Sequence, residues 1–358
     1  MKEISVTKPF MPPIEEYQSM VQAIWSREWL TNDGPVLKDF ESKMMEVIDT
    51  RNFLFVSNGT VALQIAIESL GITGSVLTTP FSYIATSTSI LWQKCKPVFV
   101  DIDPRTFNVD ADLIKGAISD EIGGMLFTHV FGNPCEVDRI EAIANAHGIP
   151  VIYDAAHAFG TRINGKEVML RGDISCTSFH ATKLFHTVEG GGVVSGNTQI
   201  HEKLALMRNF GHNGFYKFEG IGINGKNSEF HAAMGICNLK YLQEILKDRK
   251  RIYNTYKSFL TEGKCQFQQI GKGVDHNASY FPIVLKSWEQ AEAVISTLRE
   301  QEISPRRYFY PSLNTLYDSS QLCPVSEDIA ARILCLPVYF GLEDEDIKRI
   351  CSLVNGVI

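Results

Sequence analysis

Lys183 lies in the run Thr177-Ser178-Phe179-His180-Ala181-Thr182-Lys183-Leu184-Phe185-His186-Thr187-Val188-Glu189-Gly190-Gly191-Gly192. An apolar segment ending at Phe179 delivers a hydroxyl at Ser178, then a lysine five residues later, then a glutamate and a glycine cluster. An amine so placed suits imine chemistry. It is the arrangement of a lysine in a Schiff base to pyridoxal 5'-phosphate, with the Ser178 hydroxyl reaching the phosphate. The ordinary reading of any lysine is a surface ammonium. Here apolar and small neighbours on both sides argue for burial, which tunes such an amine to a pKa of roughly 7–8.

Two further groups stand where strands end. Ser57-Asn58-Gly59-Thr60 follows the apolar run Phe53 to Val56 and opens a helix. Free backbone N–H groups and the positive helix terminus suit a phosphate there. Alone, the same residues read equally as a plain strand-to-helix turn with Thr60 near the cap. Asp154 closes Val151-Ile152-Tyr153. It is either a helix cap or the acid that keeps a pyridine nitrogen protonated, so that the ring accepts electrons from an adjacent carbanion. His157 is placed to hydrogen-bond a phenolic ring oxygen, or to be a structural histidine. The order carries more weight than any one group: phosphate turn, ring-nitrogen acid, hydroxyl, lysine.

The elements that must position these groups alternate along the chain. Ile14, Tyr17, Val21, Ile24 and Trp25 recur at helical spacing after Pro13, and Leu37, Phe40, Met44 and Val47 follow the turn Thr31-Asn32-Asp33-Gly34-Pro35. Strands are expected at 53–56, 76–78, 97–100, 124–128, 150–153, 174–178 and 192–195, with helices at 60–70, 85–92 and 137–146 between them. Continuous apolar strands separated by helices imply an α/β fold, a mostly parallel sheet covered on both faces. One long helix from Glu229 to about Tyr256 would connect to a smaller α+β domain. That domain contains a strand at 280–285, a helix opened by Ser287 with Gln290 as capping box, a strand at 334–336 and a last helix from Glu343. The expected division is a large domain over 1–240, including the N-terminal helical segment, and a small one over 241–358.

Composition excludes some classes. The 358 residues carry a net charge of −7, which argues against a general binder of nucleic acid or anionic membrane. No apolar run is long enough to span a bilayer. The eight cysteines are scattered without a C-x-x-C pair, so they read as reduced thiols of a cytoplasmic protein, with no metal site expected.

Five motifs in order make the chain resemble the DegT/DnrJ/StrS family of pyridoxal-phosphate sugar aminotransferases. They are Trp29-Leu30-Thr31-Asn32-Asp33-Gly34-Pro35, Ser57-Asn58-Gly59-Thr60-Val61-Ala62-Leu63, Asp154-Ala155-Ala156-His157-Ala158, the Lys183 run, and Gly222-Ile223-Asn224-Gly225-Lys226-Asn227-Ser228-Glu229. The resemblance implies the aspartate-aminotransferase fold (fold type I). It implies that Gly59, Thr60 and Ser178 bind the cofactor phosphate, that Tyr83 stacks on the cofactor ring, and that Ala156 packs on the opposite ring face. Asp154 would meet the ring nitrogen and His157, often Gln in relatives, the phenolic oxygen. Asn224 matches an asparagine that reaches the phosphate from a neighbouring subunit, which implies a homodimer with shared active sites. Asn227 departs from the methionine usual in its run. Relatives with histidine at the lysine position dehydrate their substrates, so Lys183 implies transamination.

For the reaction, the resemblance implies L-glutamate as amino donor and a nucleotide-linked keto-sugar as acceptor, with Lys183 as tether and general acid/base. Val6-Thr7-Lys8-Pro9-Phe10-Met11-Pro12-Pro13 and Arg306-Arg307-Tyr308-Phe309-Tyr310-Pro311 resemble the branch making dTDP-4-amino-4,6-dideoxyglucose from dTDP-4-keto-6-deoxyglucose. Arg306 or Arg307 would meet a diphosphate and Tyr308 the sugar, or the three form a solvated basic pair beside a core aromatic. Asn32 and His186 are further candidates for sugar contact. The alternatives are a 3-keto-sugar or a UDP- or GDP-linked acceptor, and a cofactor-binding regulator without catalysis.

Overall fold

In the computed structural model, which describes residues 3–261, 263–317 and 321–358, the short apolar runs assemble into one seven-stranded sheet. Its order across the sheet is Phe53–Val56, Gly191–Val194, Ile174–Ser178, Val151–Asp154, Ile122–Thr128, Ser75–Thr78, Lys96–Phe99. Gly191–Val194 runs antiparallel to both neighbours, and the remaining pairs are parallel. Both faces are covered, and a strand buried on both sides needs no polar alternation. Alternate residues of Phe53–Val56 show this: Phe53 and Phe55 pack with Phe40, Phe179 and Phe185, while Leu54 and Val56 pack on the other face with Leu63 and Ile152.

Register then fixes what shares the sheet margin. Thr128 pairs with Asp154, Asp154 with Cys176, and Gly191 with both Ser178 and Val56. The carboxyl ends of six strands and the amino end of the antiparallel one therefore lie along one margin, where ligands of open α/β sheets gather.

The N-terminal helices cover one face. Pro35–Ile48 begins without a local side-chain cap. Its first N–H groups, of Val36 and Leu37, instead donate to the buried Glu229 carboxylate at 2.9 and 2.8 Å. Gly34 admits that carboxylate, since a Cβ there would stand 2.5 Å from Glu229 Cδ. Two motifs far apart in sequence are thus one structural joint.

The expected long helix is two, Glu229–Leu239 and Leu242–Phe259, broken at Lys240 and Tyr241. The first is buried nearly all round, from Ala232 to Asn238. The second buries only the stripe Leu242, Ile245, Arg249, Ile252 and Tyr256, and a change of direction lets each meet its own surroundings. The second helix still connects the domains, because Leu242 and Ile245 pack in the large core and Ile252 and Tyr256 in the small one.

The small domain is the antiparallel sheet Gln266–Phe267, Phe281–Val284, Ile333–Leu336 under helices Trp288–Arg299 and Asp344–Val357. Ser287 caps the first of these by accepting from Gln290 N at 3.2 Å, while Gln290 Oε1 accepts from Lys286 N rather than closing a full box. Ile4–Ser5 pairs in parallel with Ile303–Ser304, and Ile4 is buried in the small-domain core. Helices Ala111–Ala117, Thr198–Arg208 and Pro324–Arg332 were not expected from the sequence pattern.

Candidate active site

A cavity of about 370 Å³ opens over the sheet margin, between the two domains. Its floor begins at the turn after Phe53–Val56. Asn58, not Thr60, is the helix cap: its side chain accepts from Val61 N at 2.9 Å. Helix Gly59–Ser69 therefore presents its N-terminus, with the Thr60 hydroxyl, to the cavity. The turn lies directly on the neighbouring strands. A Cβ at Gly191 would stand 2.5 Å from Asn58 C and O, and one at Gly59 would stand 3.1 Å from Ser178 Cβ. The glycines let N–H groups, Thr60 and Ser178 converge into one small anion cradle.

Asp154 faces the middle of the cavity from the end of its strand. Its Oδ2 accepts from Thr86 Oγ1 at 2.8 Å and its Oδ1 from Ala156 N at 3.1 Å. Burial pushes the carboxyl up, and Thr86, the Ala156 N–H and the nearby Lys183 oppose that shift. His157 is buried, and its Nδ1 accepts from Phe131 N at 3.3 Å. Burial, with Lys183 adding to it, holds the ring well below the usual histidine pKa. A neutral ring that accepts at Nδ1 carries its proton on Nε2, which makes it a donor.

Lys183 sits on the cavity wall, partly buried, after a turn closed by its own N–H to His180 O at 2.9 Å. Burial lowers its amine from 10.5 to about 8, with Asp154 and Tyr83 resisting and Arg306 adding to the drop. Such an amine is available as nucleophile and as proton carrier near neutral pH.

The structure brings most of the expected residues together. Gly59, Thr60, Asp154, Ala156, His157, Ser178 and Lys183 line the cavity, and so do Tyr83 from the large domain and Arg306 and Tyr308 from the small one. The Arg306 guanidinium lies 4.6 Å from the Tyr308 ring centroid. Four candidates are elsewhere. Arg307 pairs with Glu292 at 2.7 Å and stacks on Trp288 at 3.8 Å. His186 is buried with its Nε2 2.7 Å from Phe10 O. Asn32 is exposed in the left-handed turn before Gly34, with φ 61°. Asn224 is exposed and outside the cavity of its own chain.

Sequence reasoning missed Ser82, Thr86, Thr128 and Tyr280. The first three are buried hydroxyls linked to Asp154, and Tyr280 lines the small-domain wall. Serine and threonine beside strand ends carry no pattern of their own. Only the register opposite Asp154 distinguishes Thr128. Asn227 is explained in part: its amide donates to Glu189 O at 3.0 Å and Val56 O at 3.4 Å, tying the cavity rim to the first strand.

An α/β sheet margin with exposed helix N–H groups, a buried carboxylate and an amine of lowered pKa can do carbonyl chemistry through that amine. The chain matches the DegT/DnrJ/EryC1/StrS aminotransferase family over residues 13–355 and belongs to it. It is 37% identical over 365 residues to dTDP-4-amino-4,6-dideoxy-D-glucose transaminase of Shigella dysenteriae, with 99% of each chain covered. GDP-perosamine synthase of Escherichia coli O157:H7 is 29% identical, with 99% of this chain and 98% of the relative covered. The crystal structure of DesI in the presence of its TDP-sugar product superposes with a TM-score of 0.94 at 28% identity, covering 99% of this chain and 93% of that one.

Proposed function

We propose that the chain is a pyridoxal-phosphate-dependent transaminase that moves the amino group of L-glutamate to a nucleotide-linked keto-sugar. The acceptor proposed is dTDP-4-keto-6-deoxyglucose, giving dTDP-4-amino-4,6-dideoxyglucose. One observation carries the reading: Lys183, with its amine lowered to about 8, shares a cavity with buried Asp154 and an anion cradle. The similarity to the Shigella transaminase supports the choice of sugar.

The residues fit the cofactor group by group. The N–H groups after Asn58, with Thr60 and Ser178, would hold its phosphate, where the Gly191 approach leaves no room for a side chain. Asp154 would meet the ring nitrogen, His157 Nε2–H would donate to the phenolic oxygen, and Tyr83 and Ala156 would face the ring. When bound, pyridoxal phosphate supplies an aldehyde for amine capture and a ring that accepts electrons. Lys183 Nζ takes a proton and returns it, because a pKa near 8 lets it exist in both forms at working pH. Asp154 holds negative charge where positive charge is wanted, within a margin too buried for water to screen it. Arg306 and Tyr308, on the opposite wall, would take the diphosphate and sugar.

Two assembly features belong to the same proposal. Asn224 lies outside its own cavity on an exposed segment that also carries Phe215, Tyr216, Phe218 and Ile221, and we assign it to the cavity of a partner subunit in a homodimer. A cytoplasmic location fits eight free, buried cysteines. No helix among the described residues is long and apolar enough to cross a membrane.

The test is a visible or near-ultraviolet absorbance band on addition of pyridoxal phosphate, followed by turnover with L-glutamate. A panel of dTDP-, UDP- and GDP-linked 4-keto and 3-keto sugars then reads the acceptor. Absence of the band removes the cofactor reading. A band with no turnover of the dTDP-4-keto sugar, but turnover of another member, corrects the substrate alone.

A further inference from the structure

Asp154 is the end of a chain of hydroxyls. Thr86 Oγ1 donates to its Oδ2 at 2.8 Å, Ser82 Oγ lies 2.8 Å from Thr86 Oγ1, and Thr128 Oγ1 lies 2.8 Å from Ser82 Oγ. All three residues are buried, at 0%, 2% and 1% exposure for Thr86, Ser82 and Thr128. They come from separate places in the fold. Ser82 precedes helix Ile84–Trp92, Thr86 is in its first turn, and Thr128 ends the strand paired with Asp154.

A hydroxyl has one proton to give. With Asp154 ionised, Thr86 donates to the carboxylate and must accept from Ser82. Ser82 then has no second proton, so it accepts from Thr128. All three protons point toward Asp154, and each bond polarises the next. Protonation of Asp154 at Oδ2, with that proton given to Thr86, leaves one more proton than the bonds can take, and if every bond reverses it is that of Thr128. Thr128 would then hold a proton with no acceptor, since its hydroxyl makes no other hydrogen bond among the described residues. A buried donor left without a partner is costly, so the chain works in one direction only.

We propose that Thr128, Ser82 and Thr86 are positioning residues, a one-way hydroxyl chain that orients Asp154 and keeps it ionised. The proposal concerns this chain's own residues and rests on the cofactor reading only for its consequence, a ring nitrogen kept protonated. The groups facing Asp154 are few. Lys183 favours the ionised form, His157 is held neutral by burial, and Cys176 on the next strand has its thiol pushed well up by burial and by Asp154 itself. Neither His157 nor Cys176 supplies a charge to replace the hydroxyls.

The experiment compares the full chain with Thr86→Val, Thr86→Ser and Thr128→Val. Carboxyl-labelled aspartate is titrated by carbon NMR in cofactor-free protein, with Asp154→Asn to assign the signal. The same proteins, loaded with pyridoxal phosphate, give the pH dependence of the visible band and of kcat. Thr86→Val is expected to move the Asp154 titration up by about one pH unit or more, with the acid limb of kcat moving alike. Thr128→Val is expected to move it less in the same direction, and Thr86→Ser to leave it at the wild-type position. An unmoved titration in Thr86→Val, or an equal shift in Thr86→Ser, overturns the chain. Should Thr86→Val fail to fold, an unmoved Thr128→Val overturns it by itself. A wild type without a visible band would instead sink the cofactor reading, while the Asp154 titration still decides the hydroxyls.

Discussion

The two walls of the cavity are built on opposite plans. On the large-domain wall the groups around Lys183 already have partners: Asp154 accepts from Thr86 and Ala156 N, Asn58 from Val61 N, and His157 from Phe131 N. On the small-domain wall, Arg306 makes no ion pair among the described residues and rests against the Tyr308 ring. A wall whose groups are held before ligand arrives is suited to chemistry, because it needs no reorganisation at the moment of reaction. A wall with an unpaired cation is suited to recognition, because its electrostatic complement must come from the ligand.

That contrast is tested most harshly at Lys183. Lys183→Ala is expected to lower kcat by roughly 10³-fold or more, the scale of a lost nucleophile and acid/base group, while the KM for the sugar changes little. Steady-state kinetics decides it. A variant that keeps a tenth of wild-type kcat would mean that the large-domain wall does not carry the chemistry.

The same residue tests what the arrangement costs. The Lys183 amine falls from 10.5 to about 8 in the folded protein, so folding disfavours its charged form. Between these two values the unfolded chain binds more protons than the folded one, and stability rises with pH; below about 8 the whole penalty is present. Lys183→Met should therefore stabilise cofactor-free protein at pH 7 by about 2–3 kcal/mol, with the gain shrinking as pH approaches 10. Urea unfolding at pH 7 and pH 9.5 measures it. An equal gain at both values would mean that the substitution acts through packing rather than charge.

How much of this was legible follows from what each residue answers to. The places of Asp154 and Ser178, which end strands, and of Lys183 five residues further on are legible in the sequence, because the strand ends of a covered parallel sheet share one margin whatever the tertiary detail. The helix at 229–256 was misread as one because apolar periodicity does not record a change of axis. For His186 and Asn32, the other candidates for the sugar, the sequence does not show the local structure: His186 Nε2 lies 2.7 Å from a backbone carbonyl of the N-terminal segment, and Asn32 is in a left-handed turn. The hydroxyls behind Asp154 were invisible, since their meaning lies in register and in a helix start that brings Thr86 back over the strand.

The small-domain wall offers the next test, of smaller effect. Arg306→Ala should raise the KM for the nucleotide sugar by about tenfold or somewhat more, the worth of a charge-assisted contact. The KM for L-glutamate reports whether the same guanidinium also meets the donor. An unchanged sugar KM would place diphosphate recognition elsewhere.

Arg307 is the control that sharpens the pair. Adjacent residues in an extended segment project to opposite sides, so Arg306 turns into the cavity while Arg307 turns to Glu292 and Trp288. Glu292 is half exposed, at 51%, and such a pair contributes at most about 1 kcal/mol. The stack on Trp288 adds an amount of the same order. Arg307→Ala should therefore lower stability by about 1 kcal/mol and leave both KM values within roughly twofold of wild type. A rise in sugar KM for Arg307→Ala equal to that for Arg306→Ala would show that the two arginines act as one basic patch. The division between a bonded wall and an open one would then have to be redrawn to include the surface behind Tyr310.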